Sequence, residues 1–246
     1  MKQLIQYFLG KFGFRLVRQS NTELPVFGID SFFSLLKNFG FAPKHIIDVG
    51  ANHGNWTRTA IKYFPAASYT LIEPQDQLKL YIADIVKCGY KIRWLNVGAG
   101  DKSGTLPFLI SHRDHSSTFA LTDNQAPSAG LQQITIDVKT LNEIVLSEGI
   151  PPPDIVKIDA EGFDLKVLAG ASNLLGKTDV FLIEAMFCGP YENSVASVVA
   201  YMTNANYRLI DITDLNRSPK HGVLWLCELA FLRNGSHLLE RVTAYE

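Results

Sequence analysis

Four carboxylates, Asp48, Glu73, Asp159 and Glu184, each stand at the end of a short apolar run: IIDV, LIE, VKID and FLIE. If those runs are parallel strands of one sheet, the four acids converge on the edge where open α/β sheets bind ligands. The first run passes into GANHG at residues 50–54 and then into WTRTAIKYF, where Trp56, Ala60, Ile61 and Phe64 recur at helical spacing. Strand, glycine turn and helix together open a nucleotide-binding βαβ unit. Glycine lets the backbone approach a ligand closely, and a helix N-terminus offers free N–H groups to an anion. The loop carries Gly50 and Gly54 as G-x-x-x-G, not the dinucleotide pattern G-x-G-x-x-G. Asp48, two residues before Gly50, suits a ligand with an ammonium or sulfonium charge better than a pyrophosphate. Glu73 falls about twenty residues past the loop, where such folds place an acid that accepts both ribose hydroxyls.

Asp159 and Glu161, spaced i and i+2, face the same way if their strand runs on through them. With Glu184 they could hold a divalent metal through oxygen ligands or supply a general base. Lys157 competes for the same carboxylates and no histidine or further acid is spaced to complete a cage, so no metal is expected. His53, His112, His115 and His221 are further base candidates because imidazole titrates near neutrality. A lone loop histidine is more often surface decoration.

The elements that must position these groups follow from periodicity and breakers. SFFSLLKNFG reads as a helix, N-capped by Asp30 or Ser31 and ended by Gly40. Strand SYTLIEP is followed by a helix with Leu78, Tyr81, Ile82 and Ile85 on one face, and then by IRWLNVGAG as a third strand and exit turn. TLPFLI and QQITIDV read as two strands separated by the polar residues 111–131, a connection long enough to be functional. A helix near residues 141–148, a strand at Ile155, Val156 and Ile158, a helix over 163–175 and the strand VFLIEA come next. Tyr191, Val195, Val198, Val199 and Met202 mark another helix. YRLIDI and LWLCELAFL, joined by a short loop, read as an antiparallel pair. Strands alternating with helices argue for a mostly parallel sheet covered on both faces.

At 246 residues the chain is long enough to bury a substantial core. A formal charge of −1 argues against a nucleic-acid partner held mainly by charge. Cys88, Cys188 and Cys227 form no C-x-x-C pair and read as small buried hydrophobes in a reducing, cytoplasmic setting. No apolar run reaches the roughly 20 residues that span a bilayer. The opening MKQLIQYFLGKFGFRLVR interleaves Lys2, Lys11, Arg15 and Arg18 with Leu4, Ile5, Phe8, Phe12 and Phe14. It is expected to dock on the domain as a helix, with weak contact to a membrane surface or a partner through residues 1–18 as the other reading. Nothing in the sequence specifies an oligomeric state.

IIDVGANHG, LIEP, NVGAGDKSG, VKIDAEGFDLKVLAGA and FLIEA, in that order and spacing, resemble the FkbM family of S-adenosylmethionine-dependent methyltransferases. The resemblance covers residues 39–185, with a compatible tail to residue 232. It implies an α/β fold of the Rossmann-like class I methyltransferase type: a seven-stranded, mostly parallel sheet with the last strand antiparallel and helices on both faces. The chain as a whole is read as a helical segment at 1–40 packed on a methyltransferase domain at 41–246, with a hairpin or loop insertion at about 104–138. The cofactor implied is S-adenosylmethionine, and the activity is methyl transfer to a hydroxyl of a glycan, sugar or small metabolite. By resemblance Asp48, Gly50 and Asn52, with Gly54 in the same loop, hold the methionine end, Glu73 the ribose, and Ala99, Gly100 and Asp101 lie near the adenine. Lys157, Asp159 and Glu161 face the transferring methyl and the acceptor. The loop RDHSSTF matches a Ser-Ser feature of the family, which makes His115, Ser116 and Ser117, with Glu184, acceptor-side candidates. Glu161 ranks first as the base, His115 second and Asp159 third. Where family members often have Leu-Asp, this chain has Leu141-Asn142. An NAD-dependent short-chain oxidoreductase is the alternative enzyme, but it lacks G-x-G-x-x-G and a Tyr-x-x-x-Lys pair near the fourth or fifth strand. A non-catalytic methyltransferase-like binding domain is the other alternative, against which intact Asp48, Glu73, Asp159 and Glu161 stand.

Overall fold

The computed structural model of the chain describes residues 27–111, 118–119, 131–189 and 192–242. The basic segment 1–18 and His112, His115, Ser116, Ser117 and Tyr191 lie outside the described residues. In chain order the elements are helix α1 (Ile29–Asn38), strand β1 (His45–Val49), α2 (Asn55–Tyr63), β2 (Ser68–Ile72), a 3-10 helix (Asp76–Ile82) that runs into α3 (Ala83–Lys87), and β3 (Lys91–Leu95). Then come β4 (Gly98–Ala99), β5 (Gly104–Ser111), β6 (Thr118–Phe119), β7 (Leu131–Lys139), α4 (Leu141–Ser147), β8 (Ile155–Ile158) and α5 (Asp164–Ala169). The chain continues through β9 (Val180–Met186), α6 (Val195–Asn204), β10 (Tyr207–Arg217), β11 (Leu224–Arg233) and α7 (His237–Glu240).

Seven strands form one sheet in the order β10-β11-β9-β8-β1-β2-β3. All run parallel except β11, which is antiparallel to both β9 and β10. Central strands β1 and β8 are buried at every position, as strands covered on both faces must be. Alternate residues feed two cores. Ile47, Val156, Ile183 and Leu229 pack with Leu141, Val167, Val198 and Met202 from α4, α5 and α6. Ile46, Leu71, Ile155 and Leu182 pack with Phe32, Phe33, Ala60 and Ile61 from α1 and α2. The strand order reverses between β1 and β8, which opens a crevice beyond their carboxyl ends.

Several expectations are corrected. Gly28, not Asp30 or Ser31, stands at the N-cap of α1, and Asp30 lies in the first turn, where its carboxylate accepts from the Tyr63 hydroxyl. Tyr81 does not share the buried face of Leu78, Ile82 and Ile85: the 3-10 geometry turns it outward, and it is 56% exposed. The helix expected over 163–175 stops at Ala169, where Gly170 lies against Gly100. Gly98–Ala99 is a short strand, not only a turn, and it pairs with β7 in a second sheet ordered β4-β7-β5-β6. Cys88 and Cys188 are exposed, and only Cys227 is buried. Asn142 fastens α4 to the chain beyond α5, donating to Ser172 Oγ at 2.9 Å and accepting from the Asn173 amide at 2.9 Å.

Candidate active site

The turn after β1 is built by close packing against β8. Gly50 has φ +74°, and a Cβ there would lie 1.8 Å from the Asp159 carbonyl oxygen. The glycine is therefore required by the neighbouring strand exit, a different reason from the ligand approach the sequence led us to expect. The Gly50 and Ala51 amides both donate to the Ile72 carbonyl, which ties the turn to β2. Asn52 takes a left-handed φ of +46°, and its amide donates to Glu73 Oε2 at 3.0 Å. The other oxygen of Glu73 accepts from the Gln75 amide at 3.0 Å. Burial pushes the Glu73 carboxyl up, opposed by the amides of Gln75 and Asn52.

Beneath this turn sits a buried charge cluster. Register places Asp48 beside Lys157. The Lys157 ammonium donates to Asp159 Oδ2 at 2.9 Å and lies 3.8 Å from Asp48 Oδ1. Asp48 is fully buried and its Oδ2 accepts from the Thr57 hydroxyl at 2.6 Å. Burial disfavours the Lys157 ammonium, yet Asp159, Asp48 and Glu228 outweigh it and hold its pKa above the ordinary lysine value. A second row of acids follows from register further along the sheet, since Glu184 pairs with Glu228 and Glu228 with Asp214. Thr213 Oγ1 donates to Glu228 Oε1 at 2.5 Å. Burial first, then the charge of Asp159, raises Glu161 to about 8 and Glu184 to about 10, and burial raises Glu228 to about 7 against the pull of Lys157.

These groups enclose a cavity of about 590 Å³ beyond the ends of β1, β2, β8 and β9. Gly50, Asn52, Glu73, Ala99 and Asp159 line it, as expected for cofactor contacts, and so do Lys157, Glu161 and Glu184. Asp48, Gly54, Gly100 and Asp101 do not. Asp48 is turned into the protein beneath α2, Gly54 takes a left-handed φ at the N-cap of α2 with Ile82 behind it, and Asp101 is exposed past β4. The strand does not run on to Glu161 as its spacing with Asp159 required. β8 ends at Ile158, and Glu161 sits in a turn with φ +49°. Of the histidines, His53 lines the cavity with its ring edge-on to Tyr81, while His221 is exposed on the β10–β11 connection.

Other lining residues went unnoticed in the sequence. Trp56 comes from α2, Phe108 from β5, and Thr213, Asp214, Asn216, Leu226 and Glu228 from the β10–β11 hairpin. Glu228 had a visible signal: it is a lone acid inside the apolar run LWLCELAFL. Among the described residues no group of three or more His, Cys, Asp or Glu side chains is disposed to hold a metal ion, and Lys157 occupies the space between Asp48 and Asp159.

Sheet order, the single antiparallel strand and the position of the cavity define a Rossmann-like, class I methyltransferase fold. The chain belongs to the FkbM methyltransferase family: the "Methyltransferase FkbM domain" profile matches residues 48–209. Membership makes it a methyltransferase of the S-adenosylmethionine-dependent class, with S-adenosylmethionine as cofactor. Among solved structures it is similar to a methyltransferase FkbM from Methylobacillus flagellatus, with 16% identity and a TM-score of 0.48 over 76% of this chain and 43% of that one. It is also similar to a precorrin-6y C5,15-methyltransferase from Geobacter metallireducens, with 11% identity and a TM-score of 0.48 over 88% and 94% of the two chains. A third is M. capricolum TrmK with S-adenosylhomocysteine, with 12% identity and a TM-score of 0.47 over 82% and 68%. The chain thus spans less than half the length of the Methylobacillus protein. No curated protein is significantly similar to it.

The residues present fit the cofactor. A diol, a sulfonium and an ammonium call for carboxylate and amide acceptors, and the wall of Asn52, Glu73 and Asp159 supplies them beside apolar Ile72, Val97 and Phe108. The cavity volume lies within the range of small-molecule sites, about 300–1,000 Å³.

Proposed function

We propose that this chain transfers a methyl group to a hydroxyl of an uncharged acceptor, a glycan, sugar or small metabolite, with Glu161 as the general base. The observation that carries this reading is the position of Glu161: it lines the same cavity as the cofactor wall and holds its proton up to about pH 8. S-adenosylmethionine supplies an electrophilic methyl group on a sulfonium. The protein's work is then alignment, exclusion of water and uptake of the hydroxyl proton. Glu73 and Asn52 form one rigid wall because the Asn52 amide donates to the Glu73 carboxylate. Asp159, held by Lys157 at 2.9 Å, presents fixed negative charge towards a cationic ligand. A carboxyl titrating near 8 is a far stronger base than an ordinary glutamate, and a nearby positive charge favours its ionised form. Glu161 can therefore accept the hydroxyl proton once the bound sulfonium has favoured its ionised form.

Glu184, Glu228 and Asp214 also line the cavity, and Lys157 is already engaged by Asp48 and Asp159. Among the described lining residues Lys157 is the one ammonium or guanidinium group, and two carboxylates already hold it, so a phosphate or sulfate finds no cation there. The protonated carboxyls can exchange hydrogen bonds with hydroxyls, which favours a neutral polyol as acceptor. Residues 111–131, with His115, Ser116 and Ser117, belong to the acceptor side in this reading. Labelled S-adenosylmethionine incubated with neutral, phosphorylated and sulfated sugars tests it. Wild type should label neutral acceptors, and Glu161→Gln should bind the cofactor yet transfer on the order of a hundredfold more slowly or worse. Normal transfer by Glu161→Gln, or a preference for anionic acceptors, contradicts the proposal.

A further inference from the structure

The turn that carries Glu161 is held by two buried side chains for which neither the fold nor the cofactor gives a use. Asp164, the first residue of α5, has no exposed surface. Its Oδ1 accepts from the Ala160 amide at 2.9 Å and its Oδ2 from the Gly162 amide at 3.1 Å. Those are the two amides on either side of Glu161. The same Oδ2 also accepts from Asn193 Nδ2 at 2.8 Å. Asn193, likewise without exposed surface, reaches back to β9: its Nδ2 lies 3.5 Å from the Glu184 carbonyl, and its own carbonyl accepts from the Met186 amide at 2.9 Å. A single clamp therefore runs from the Glu161 turn, through Asp164 and Asn193, to the strand that carries Glu184.

A capping carboxylate on one amide would suffice to start α5. Gripping both flanks of Glu161 does something more. A left-handed φ is unfavourable for a glutamate and persists only where its surroundings impose it. Phe163, next in the chain, anchors the far side of the turn in a cluster with Phe108, Ile136 and Val138. Asp164 and Asn193 do not line the cavity. Apart from the bond that joins them, these hydrogen bonds run to the backbone on either side of Glu161 and to the backbone of β9.

We propose that Asp164 and Asn193 are positioning residues that hold Glu161 in its left-handed turn and fix it against Glu184, so that both carboxyls point into one cavity. This deepens the reading of Glu161 as the base and rests on it. A loosened turn lets Glu161 swing towards solvent, where its carboxyl loses the burial that raises its pKa.

The test follows the Glu161 carboxyl by NMR in full-length protein labelled with carboxyl-13C glutamate, its resonance assigned by its absence in Glu161→Gln. Amide exchange at Ala160 and Gly162 is read on the same samples. Asn193→Ala exchanges one neutral residue for another, so any change in the Glu161 titration reports position and not removed charge. It should lower the Glu161 midpoint by about one pH unit or more and speed exchange at Gly162 by about tenfold or more. Asp164→Asn should do both more strongly, because a carboxamide can accept from only one of the two amides. Should Asp164→Asn fail to fold, Asn193→Ala decides the matter alone. An unmoved Glu161 midpoint in folded Asn193→Ala, with or without faster exchange, overturns the proposal and leaves the pair as fold stabilisers. Normal turnover by Glu161→Gln would instead remove the base assignment while leaving these shifts in place, so the two failures are told apart.

Discussion

Lys157 is surrounded by acids, and its role follows from what it balances. Removing it leaves Asp48 fully buried with no cation beside it, which typically costs 3–5 kcal/mol or more (about the penalty for breaking a buried pair). Lys157→Met should therefore destabilise the protein strongly in chemical denaturation, and a variant as stable as wild type would mean that Asp48 is neutral in the fold. The same ammonium already supplies positive charge between Asp48 and Asp159, so methyl transfer is expected to survive EDTA. Loss of turnover in EDTA with rescue by magnesium would contradict this. Glu73 is different because it serves both the ligand wall and the loop. Glu73→Ala removes an acceptor for a ribose hydroxyl pair, typically worth about 1–3 kcal/mol, so calorimetry should show cofactor binding roughly ten- to a hundredfold weaker. It also frees the amides of Asn52 and Gln75, and some loss of melting temperature should accompany the lost affinity. Unchanged affinity in a folded variant would take Glu73 out of the site.

At the scale of elements, the βα turn after β1 and the exit of β8 are one packed unit. Gly50→Ala would drive a Cβ into the Asp159 carbonyl and strain a positive φ. It should cost about 2–4 kcal/mol of stability and weaken cofactor binding with it, whereas wild-type melting and binding would mean that the two turns are not in contact. Much of this was legible in the sequence. The acids at the ends of β1, β2, β8 and β9 could be placed because each closes an apolar run, and four of the expected cofactor and catalytic positions in the β8 region and β2 do line the cavity: Lys157, Asp159, Glu161 and Glu73. Three things were not legible, for three physical reasons. The hairpin residues Thr213, Asp214 and Asn216 reach the cavity only through the register of β10 on β11 on β9, and register between distant strands leaves no local trace. Asp48 has the type and spacing of a ligand contact, but burial under α2 and its bond to Thr57 turn it inward. Asp164 and Asn193 meet across 29 positions of sequence, so their clamp exists only in three dimensions.

For the molecule as a whole, a dominant feature is the number of carboxyls that keep their protons. Burial raises Glu161 to about 8, Glu184 to about 10, and Glu228 and Asp164 to about 7 each. In the unfolded chain such groups ionise near pH 4. Between about pH 4 and their folded values the native state binds more protons than the unfolded one, so stability falls as pH rises. The ligand-free protein should accordingly melt at steadily lower temperature from pH 6 to pH 9. A flat or rising melting temperature would show that these carboxyls are already ionised. A cationic ligand favours the ionised carboxyls, so its stabilising effect should grow over the same pH range. The central claim of the proposed function is that the cavity beyond β1 and β8 moves a methyl group onto oxygen. The direct test is to turn the protein over with S-adenosylmethionine carrying a 13C-methyl group and a neutral sugar acceptor, and to read the carbon spectrum of the product. The labelled carbon should appear as a methoxy group, with Glu161→Gln giving far less of it. Label found on nitrogen or carbon, or no transfer by protein that demonstrably binds the cofactor, would contradict the claim.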